Sequence, residues 1–287
     1  MIEFIHPEPQ HVPELGRICF EAFKGICEEH GFPLDMPAVE IAQYVIGLMA
    51  GNPCVHGVAA VEDGKLLGSN FVSIYDEVAG VGPITIDPSA QGRGLGRRLM
   101  QWVADESRAK GKEQIRLVQD SFNLAALSLY SSIGYDVKET VALMTIADAA
   151  AEAPDPGIRG IVEADLDAVE RLSREYYGVS RRNEVAANVA AGACGVIRER
   201  DDRPTGFYLP GMMGFGAAES NADALALIRD AARVAPAHDL LVFCPLRNTD
   251  LYRQLLKSGA RAIKVETLMA MGPYREPSGT WMPSILF

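Results

Sequence analysis

Residues 81–100 read VGPITIDPSAQGRGLGRRLM. The first part predicts a short apolar strand, Pro88 predicts a turn, and the residues from Gly94 onward predict an amphipathic helix. Glycine at positions 92, 94 and 96 allows positive φ and lets a ligand approach main-chain N–H groups without a Cβ in the way. The unpaired N–H groups of a helix's first turn, at the positive end of its dipole, favour a bound anion. Strand, loop and helix together therefore predict a pyrophosphate site.

Two common phosphate-binding loops do not fit this spacing. The dinucleotide fingerprint requires a third small residue at a fixed place, where this chain has Arg97 or Leu99, depending on the starting glycine. A P-loop requires Gly-Lys followed by Ser or Thr, whereas Gly96 is followed by two arginines. The spacing that fits is Gln-x-x-Gly-x-Gly, from Gln91 to Gly96. In this form the loop resembles the acyl-CoA loop of the GNAT family of N-acetyltransferases.

The rest of the first half extends the resemblance. The predicted order of elements, β, α, α, β, β, β, α, β, α, β, is the order of the GNAT fold. Asn123, Tyr130, Gly134 and Tyr135 follow the loop at the family's spacing. The resemblance implies an α/β (α+β) fold in which helices flank a mixed central sheet.

Local signals place several boundaries within this order. Asp63-Gly64 predicts the turn of a hairpin. Residues 28–33 predict a loop between the first two helices, and residues 81–87 predict one uninterrupted strand. Gly111 predicts the end of the helix that begins at Gly94.

The resemblance implies acetyl-CoA as cosubstrate, with no metal. The main-chain groups of Ile84, Thr85 and Ile86 are expected to bind the pantetheine arm. Asn123 is expected to contact that arm or an ordered water, or simply to cap the helix that follows it. The residues expected to hold the pyrophosphate are Gln91, Gly92, Arg93, Gly94, Leu95, Gly96 and Arg97.

The resemblance also implies the catalytic roles. Attack of an amine on the thioester releases a thiolate, and Tyr130 stands at the family position of the general acid that protonates it. Family members often carry a glutamate base on the fourth strand, but the matching position here is Gly80. Glu77 is the expected substitute, acting through water. Other carboxylates that remain open for this role are Asp76, Glu28 and Glu29.

The second half repeats the first with a shift of 125 positions. Asn248, Gly259 and Met269 repeat the spacing of Asn123, Gly134 and Met144. The shift maps the loop onto residues 216–221, which lack Gly-x-Gly, and it maps Tyr130 onto Leu255. The shorter front section of this half predicts the loss of a helix or hairpin. The chain is therefore expected to comprise a catalytic domain over 1–147, a linker over 148–157 and a degenerate GNAT-like domain over 158–287.

Composition excludes several classes of function. The net charge is −11 with a sequence pI near 5.0, which argues against general binding to nucleic acid or to anionic membranes. No apolar run approaches the ~20 residues that cross a bilayer, and no signal peptide is apparent. Five widely separated cysteines predict reduced thiols and a cytoplasmic location.

These observations predict an acetyl-CoA-dependent N-acetyltransferase that modifies a primary amine by direct attack in a ternary complex. The acceptor amine of a small molecule or a peptide remains open, as does a monomer or a homodimer. One alternative is a non-catalytic protein that binds or senses acyl-CoA. A mycothiol-synthase-like tandem acetyltransferase ranks lower, because that family's working lobe is understood to be the second, which is the damaged one here.

Overall fold

A computed structural model describes residues 1–146 and 153–287 of the 287-residue chain. It divides into two compact units. The first unit comprises Met1–Leu117, Phe122–Asp136 and Ala270–Gly272, and the second comprises Val118–Ser121, Val137–Met269 and Pro273–Phe287. Half of the expected linker, residues 148–152, lies outside the described residues. The expected domain limits stay a proposal.

The first unit follows the predicted order of elements, with helices on both faces of a mixed sheet. β1 to β4 pair antiparallel, and β4 pairs in parallel with the next long strand, β6. The elements are β1 (Ile2–Ile5), α1 (Val12–His30), α2 (Val39–Gly51), β2 (Val55–Glu62), β3 (Lys65–Ser73), β4 (Val78–Val81), β5 (Thr85–Ile86), α3 (Leu95–Ala109), β6 (Gln114–Asp120) and α4 (Leu124–Ser132).

The core of this unit has two layers because alternate strand residues face opposite sides. Ala59 and Phe71, which are fully buried, pack with residues of α1 and α2 in one cluster. Val58 and Leu67 pack on the other side, against Leu99 and its neighbours on α3. The sheet is therefore covered on both faces.

Two turns depend on positive φ. The hairpin predicted at Asp63-Gly64 is confirmed, with φ of 50° and 79° in a two-residue turn between β2 and β3. The loop predicted over residues 28–33 begins later than expected. α1 continues to His30 and ends where Gly31, at φ 71°, takes the left-handed conformation typical of a helix C-terminus.

The strand predicted over residues 81–87 is interrupted. Val81 pairs with Val72 of β3 and Thr85 pairs with Ser69, so three residues of one strand face two of the other. This is a β-bulge. The parallel pairing of β4 with β6 covers Val78–Gly80, before the bulge, whereas β5 pairs with β3.

The second unit contains an antiparallel sheet in the order β14-β11-β10-β9-β8 and a pairing of β7 with β12. A π-helical turn over Ser173–Tyr177 extends α5. Its elements are β7 (Asp136–Thr145), β8 (Ile158–Gly160), α5 (Leu166–Leu172), α6 (Arg182–Ala190), β9 (Val196–Arg200), β10 (Arg203–Tyr208), β11 (Gly216–Ala218), α7 (Asn221–Val234), β12 (Leu241–Pro245), α8 (Thr249–Lys257), β13 (Arg261–Met271) and β14 (Thr280–Met282).

The internal repeat is visible in the backbone. Asn123 caps α4 by accepting a hydrogen bond from the N–H of Ala126 at 3.0 Å, and Asn248 caps α8 by accepting one from Leu251 at 3.2 Å. Gly134 and Gly259 follow these helices at φ of 103° and 93°. The same local sequence therefore builds the same turn twice.

Two expectations about the second half are wrong. From β8 to β13 no helix or hairpin of the order is missing; the front section is shorter because α5 and α6 are shorter than α1 and α2. Residues 216–221 are not a loop throughout, since Gly216–Ala218 forms β11 and α7 begins at Asn221. Only Glu219 and Ser220 connect the strand to the helix.

Within the described parts of the chain, no helix combines the length and the apolar character needed to cross a membrane.

Asp87 fixes the start of the loop that follows β5. Its carboxylate accepts hydrogen bonds from the Ser89 hydroxyl at 2.5 Å, the Ser89 N–H at 2.9 Å and the Arg17 guanidinium at 2.8 Å. The Ser89 hydroxyl above all, together with Arg17, lowers the pKa of Asp87 to about 2.

Asp87→Asn should lower the free energy of unfolding at pH 7 by about 1–2 kcal/mol, because the depressed pKa reports stabilisation of the charged form. The folded pKa lies below the unfolded value of about 3.9, so this stabilisation is present above pH ~4 and is lost as the pH falls towards 2. Urea titrations at pH 7 and pH 2.5 should show the difference shrinking at the lower pH. Asp63→Asn, at an exposed carboxylate, should change little at either pH. An undiminished loss for Asp87→Asn at pH 2.5 would contradict the assignment.

Candidate functional site

The loop between β5 and α3 is built on two left-handed glycines. Gly92 and Gly94 both have φ 75°, and a Cβ at either would meet no atom within 4 Å. Their backbone conformation, and not crowding, therefore requires glycine. Gly94 is the N-cap residue of α3, so no side chain caps the first turn of that helix. The N–H groups of that turn therefore have no side-chain partner at the cap position.

Gly96 serves a different purpose. It lies within α3, and a Cβ there would stand 3.2 Å from Leu129 Cδ2 and 3.3 Å from Ile86 Cδ1. Glycine therefore lets α3 pack closely against α4 and β5. The sequence treated the three glycines as one set, whereas the structure assigns two to the conformation of the loop and one to packing.

Three arginines surround the start of α3, each with a partner. Arg93 donates to Glu62 at 2.8 Å and holds the pKa of that carboxyl below its usual range. Arg97 donates to the Ser132 hydroxyl at 2.7 Å. The guanidinium of Arg98 lies 4.7 Å from the centre of the Phe4 ring. Positive charge thus adds to the helix dipole at this end of α3.

The edge of β5 presents main-chain groups on the side away from β3. The Asp87 N–H donates to Leu67 O at 2.8 Å, which fixes the alternation of the β3–β5 ladder. In that alternation Thr85 directs its N–H and C=O towards β3, and Ile86 directs its own away. The Ile86 carbonyl accepts a hydrogen bond from Gln91 Nε2 at 3.3 Å. Ile84 lies in the bulge.

Tyr130 lies in the last turn of α4. Its side chain is buried, and its ring centre lies 6.2 Å from that of Tyr135. Within residues 1–146 and 153–287, the buried Tyr135 hydroxyl has no hydrogen-bond partner, and burial raises the pKa of Tyr135.

Glu77 lies directly before β4, whereas the glycine loop follows β5. Glu77 and the loop are therefore at opposite ends of the interrupted strand that β4 and β5 form. Glu77 is half-buried. Its neighbour Asp76 is buried, and the carbonyl of Asp76 accepts a hydrogen bond from Lys112 Nζ. Glu28 and Glu29 lie exposed on the last turn of α1.

An aromatic cluster lies beside Asn123. The ring of Phe122 stacks on that of Phe32 with 4.2 Å between centres, and the His30 ring lies 5.3 Å away. His30 is the last residue of α1, and Phe32 belongs to the connection that follows it. Sequence reasoning did not single out either phenylalanine. The signal that it overlooked was an aromatic residue directly before Asn123.

The second unit fills the corresponding helix start with its own acidic groups. Ser220 caps α7 by accepting a hydrogen bond from the N–H of Asp223 at 3.1 Å. Asp223 is buried in the first turn, and Arg198 and Arg200 both lie 3.4 Å from its carboxylate. Glu219 forms a further ion pair with Arg200 at 3.5 Å. A phosphate at this helix end would meet a buried carboxylate.

No group of three or more His, Cys, Asp or Glu side chains that could hold a metal ion occurs among residues 1–146 and 153–287.

Comparison with protein families matches residues 19–135 to the acetyltransferase (GNAT) family. A mycothiol acetyltransferase from Beutenbergia cavernae is 38% identical over 74 residues, 25% of each chain. Another, from Renibacterium salmoninarum, is 30% identical over 131 residues, 44% of this chain and 33% of that one. The [ribosomal protein bS18]-alanine N-acetyltransferase of Escherichia coli is 31% identical over 75 residues, 26% of this chain and 51% of that one. The chain thus spans a quarter to a third of the length of these mycothiol acetyltransferases.

Solved structures match nearly the whole chain. A putative acetyltransferase from Pyrococcus horikoshii has a TM-score of 0.78 at 16% identity, covering 100% of this chain and 94% of that one. A tandem GNAT protein from the clavulanic acid biosynthesis pathway has a TM-score of 0.58 at 12% identity, covering 96% and 100%. At such identities the likeness concerns the fold. It confirms the predicted α/β fold with tandem GNAT-like lobes.

Gly94→Ala should lower the free energy of unfolding by about 1 kcal/mol, because an L-residue at this positive φ costs roughly 1–2 kcal/mol. Gly25→Ala is the matched control. Gly25 lies inside α1 with open space around its Cβ position, so alanine there should raise the free energy of unfolding by about 0.5–1 kcal/mol. Urea denaturation measures both. Changes of the same sign would show that backbone conformation is not what requires glycine at position 94.

Proposed function

Because residues 19–135 match the acetyltransferase (GNAT) family, we propose that this chain is an acetyl-CoA-dependent N-acetyltransferase that modifies a primary amine. The observation that carries the proposal is the loop from Gln91 to Gly96. Its two left-handed glycines lead into an uncapped helix start, and the main chain of Ile86 faces away from β3 beside it. An anion site next to an unpaired strand edge suits a ligand with a diphosphate and an amide-bearing arm.

The residues around the loop suit the two ends of CoA. The N–H groups of Leu95, Gly96 and Arg97, in the first turn of α3, would bind the pyrophosphate with the backbone of Gly92 and Gly94. Arg93 would add charge, since its exposed pair with Glu62 costs little to exchange. The Ile86 main chain would bind the pantetheine arm, with Ile84 and Asn123 further along it. Thr85 would contribute through its side chain, because its main chain is turned to β3.

Acetyl-CoA supplies an activated thioester carbonyl. Glu77, acting through water, would take a proton from the incoming ammonium, and the neutral amine nitrogen would then attack that carbonyl. The new C–N bond forms and the C–S bond breaks, and the Tyr130 hydroxyl would give its proton to the departing thiolate. The second proton, which the nitrogen loses as the neutral amide forms, would return to the Tyr130 oxygen directly or through water. Tyr130 is buried. Burial supports this role because packing against neighbouring atoms holds the proton donor in a fixed position.

The stacked rings of Phe32 and Phe122 suit one wall of the acceptor site. Phe122 directly precedes Asn123 along the chain, and its stacking on Phe32 joins the end of β6 to the connection after α1. The net charge of −11 favours a cationic amine, on a small molecule or on a peptide. The proposal also includes a cytoplasmic location, a monomer or homodimer, and a catalytic domain over 1–147 with a degenerate one over 158–287.

The deciding experiment measures release of free CoA thiol from acetyl-CoA across a panel of amines. We expect release that depends on both the purified chain and one class of amine, and calorimetry should detect CoA binding. Binding without release for every amine would favour an acyl-CoA-binding or sensing protein instead. Absence of CoA binding would overturn the proposal.

Tyr130→Phe should lower turnover roughly tenfold or more and leave the CoA dissociation constant nearly unchanged, because the hydroxyl acts only as the thiolate leaves. Tyr135→Phe is the matched control. Its hydroxyl is buried without a partner in the described part of the chain, so its removal should leave turnover unaltered. Equal turnover in Tyr130→Phe and the native chain would remove Tyr130 from the mechanism.

In the same assay, Glu77→Gln should lower turnover at pH 7 without weakening CoA binding. The loss should shrink at high pH, where the amine is deprotonated without a base. A loss that is the same at every pH would contradict the role of Glu77 as base.

A further inference from the structure

The outer edge of β11 is covered by a strand from the last part of the chain. β14 pairs antiparallel with β11, with Ala218 opposite Thr280, Ala217 opposite Trp281 and Gly216 opposite Met282. β14 also lies against β12. It therefore fills the space beside β11 along the whole length of that strand.

This space corresponds to the proposed acyl-CoA site of the first unit, which lies beside the edge of β5. β11 precedes α7 as β5 precedes α3, and β12 leads into the Asn248 cap as β6 leads into the Asn123 cap. In the first unit the edge beside Ile86 faces away from its partner strand. We propose that β14 permanently occupies the position in the second unit that corresponds to the acyl-CoA site of the first. It lies where the pantetheine arm of acyl-CoA would bind in the first unit. This inference rests on the proposed function.

Two glycines make room for the occupant. A Cβ on Gly216 would stand 2.8 Å from Met282 Cε and 2.4 Å from the Phe207 carbonyl oxygen. A Cβ on Gly279 would stand 2.2 Å from Tyr176 Cδ1. Because none of these three distances is compatible with a real Cβ, β14 requires glycine at position 216 of the neighbouring strand and at position 279, directly before β14.

Polar groups at this position bond to the same strand. Asn248, the repeat of Asn123, exchanges two hydrogen bonds with the amide of Asn221, at 3.0 and 2.8 Å. The Thr280 hydroxyl donates to Asn221 Oδ1 at 2.7 Å. The asparagine whose counterpart is expected near the cofactor is thereby connected to β14. No cofactor is needed to satisfy it.

The residues after β14 anchor it in the core. Trp281, Met282 and Phe287 are buried, and the Ile285 N–H donates to Met212 O at 2.9 Å. Arg181 is fully buried, lies 4.0 Å from the Phe287 ring centre and donates to the Phe287 carbonyl at 3.1 Å. Burial of these side chains makes the occupant a permanent part of the second unit. The chain should therefore bind one CoA.

Tryptophan fluorescence tests this directly, since the chain has only Trp102 and Trp281. In a Trp102→Phe variant, Trp281 alone reports on β14. Its emission should be blue-shifted, as for a buried ring, and should not move on titration with CoA, while calorimetry gives one CoA per chain. A red shift on titration with a second CoA bound would overturn the proposal and make β14 a displaceable lid.

A second variant tests whether β14 requires glycine at position 279 to pack beside β11. Gly279→Val, added to Trp102→Phe, should expose Trp281 and speed hydrogen exchange at residues 280–282, with CoA affinity in the first unit nearly unchanged. Gly51→Ala, at a position with open space, is the control and should do neither. If Gly279→Val leaves both the Trp281 emission and the hydrogen exchange of residues 280–282 unchanged, the proposed packing of β14 is wrong. Both readouts work without CoA, so a chain that binds none would contradict the proposed function alone.

Discussion

The structure of the candidate site depends on the break in the strand edge between Val81 and Thr85. One extra residue at this point separates β4, which pairs with β6, from β5, which pairs with β3. A regular strand would continue the ladder with β6 and use up its main-chain groups there. The bulge instead leaves the Ile86 N–H and C=O directed away from β3. Every other feature of the proposed cofactor site is arranged around that edge.

The two halves of the chain satisfy the polar groups at a strand edge and a helix start in different ways. A strand edge and a helix start carry polar groups that need partners. In the first unit, glycines and arginines around α3 leave these groups suited to a diphosphate ligand. In the second, Ser220 and Asp223 satisfy the start of α7, and β14 covers the edge of β11. The repeated fold thus has a proposed acyl-CoA site in the first unit. In the second unit, residues of the chain itself occupy the corresponding position.

Sequence reasoning succeeded where a short stretch specifies its own conformation. The Asp63-Gly64 turn was predicted from local signals, and capping of α4 was one of the two roles predicted for Asn123. It failed where contacts distant in sequence decide. The bulge after Val81 arises from pairing with β3, and the packing role of Gly96 arises from Leu129 and Ile86. Residues 216–218 form a strand because they pair with β10 and β14, which no local pattern in a small-residue stretch indicates.

By itself, the sequence determined the resemblance to the GNAT family, the order of the elements, the internal repeat and the position of the glycine loop. These depend on residue spacing and on backbone preferences that hold within a few positions. Only the tertiary structure decided which strand edge stays open, which glycine serves packing, and that Phe32 stacks on Phe122. It also decided that residues 280–282 occupy the second unit's edge. The physical reason is that strand pairing and close packing join residues far apart in the chain, and a one-dimensional pattern does not contain those distances.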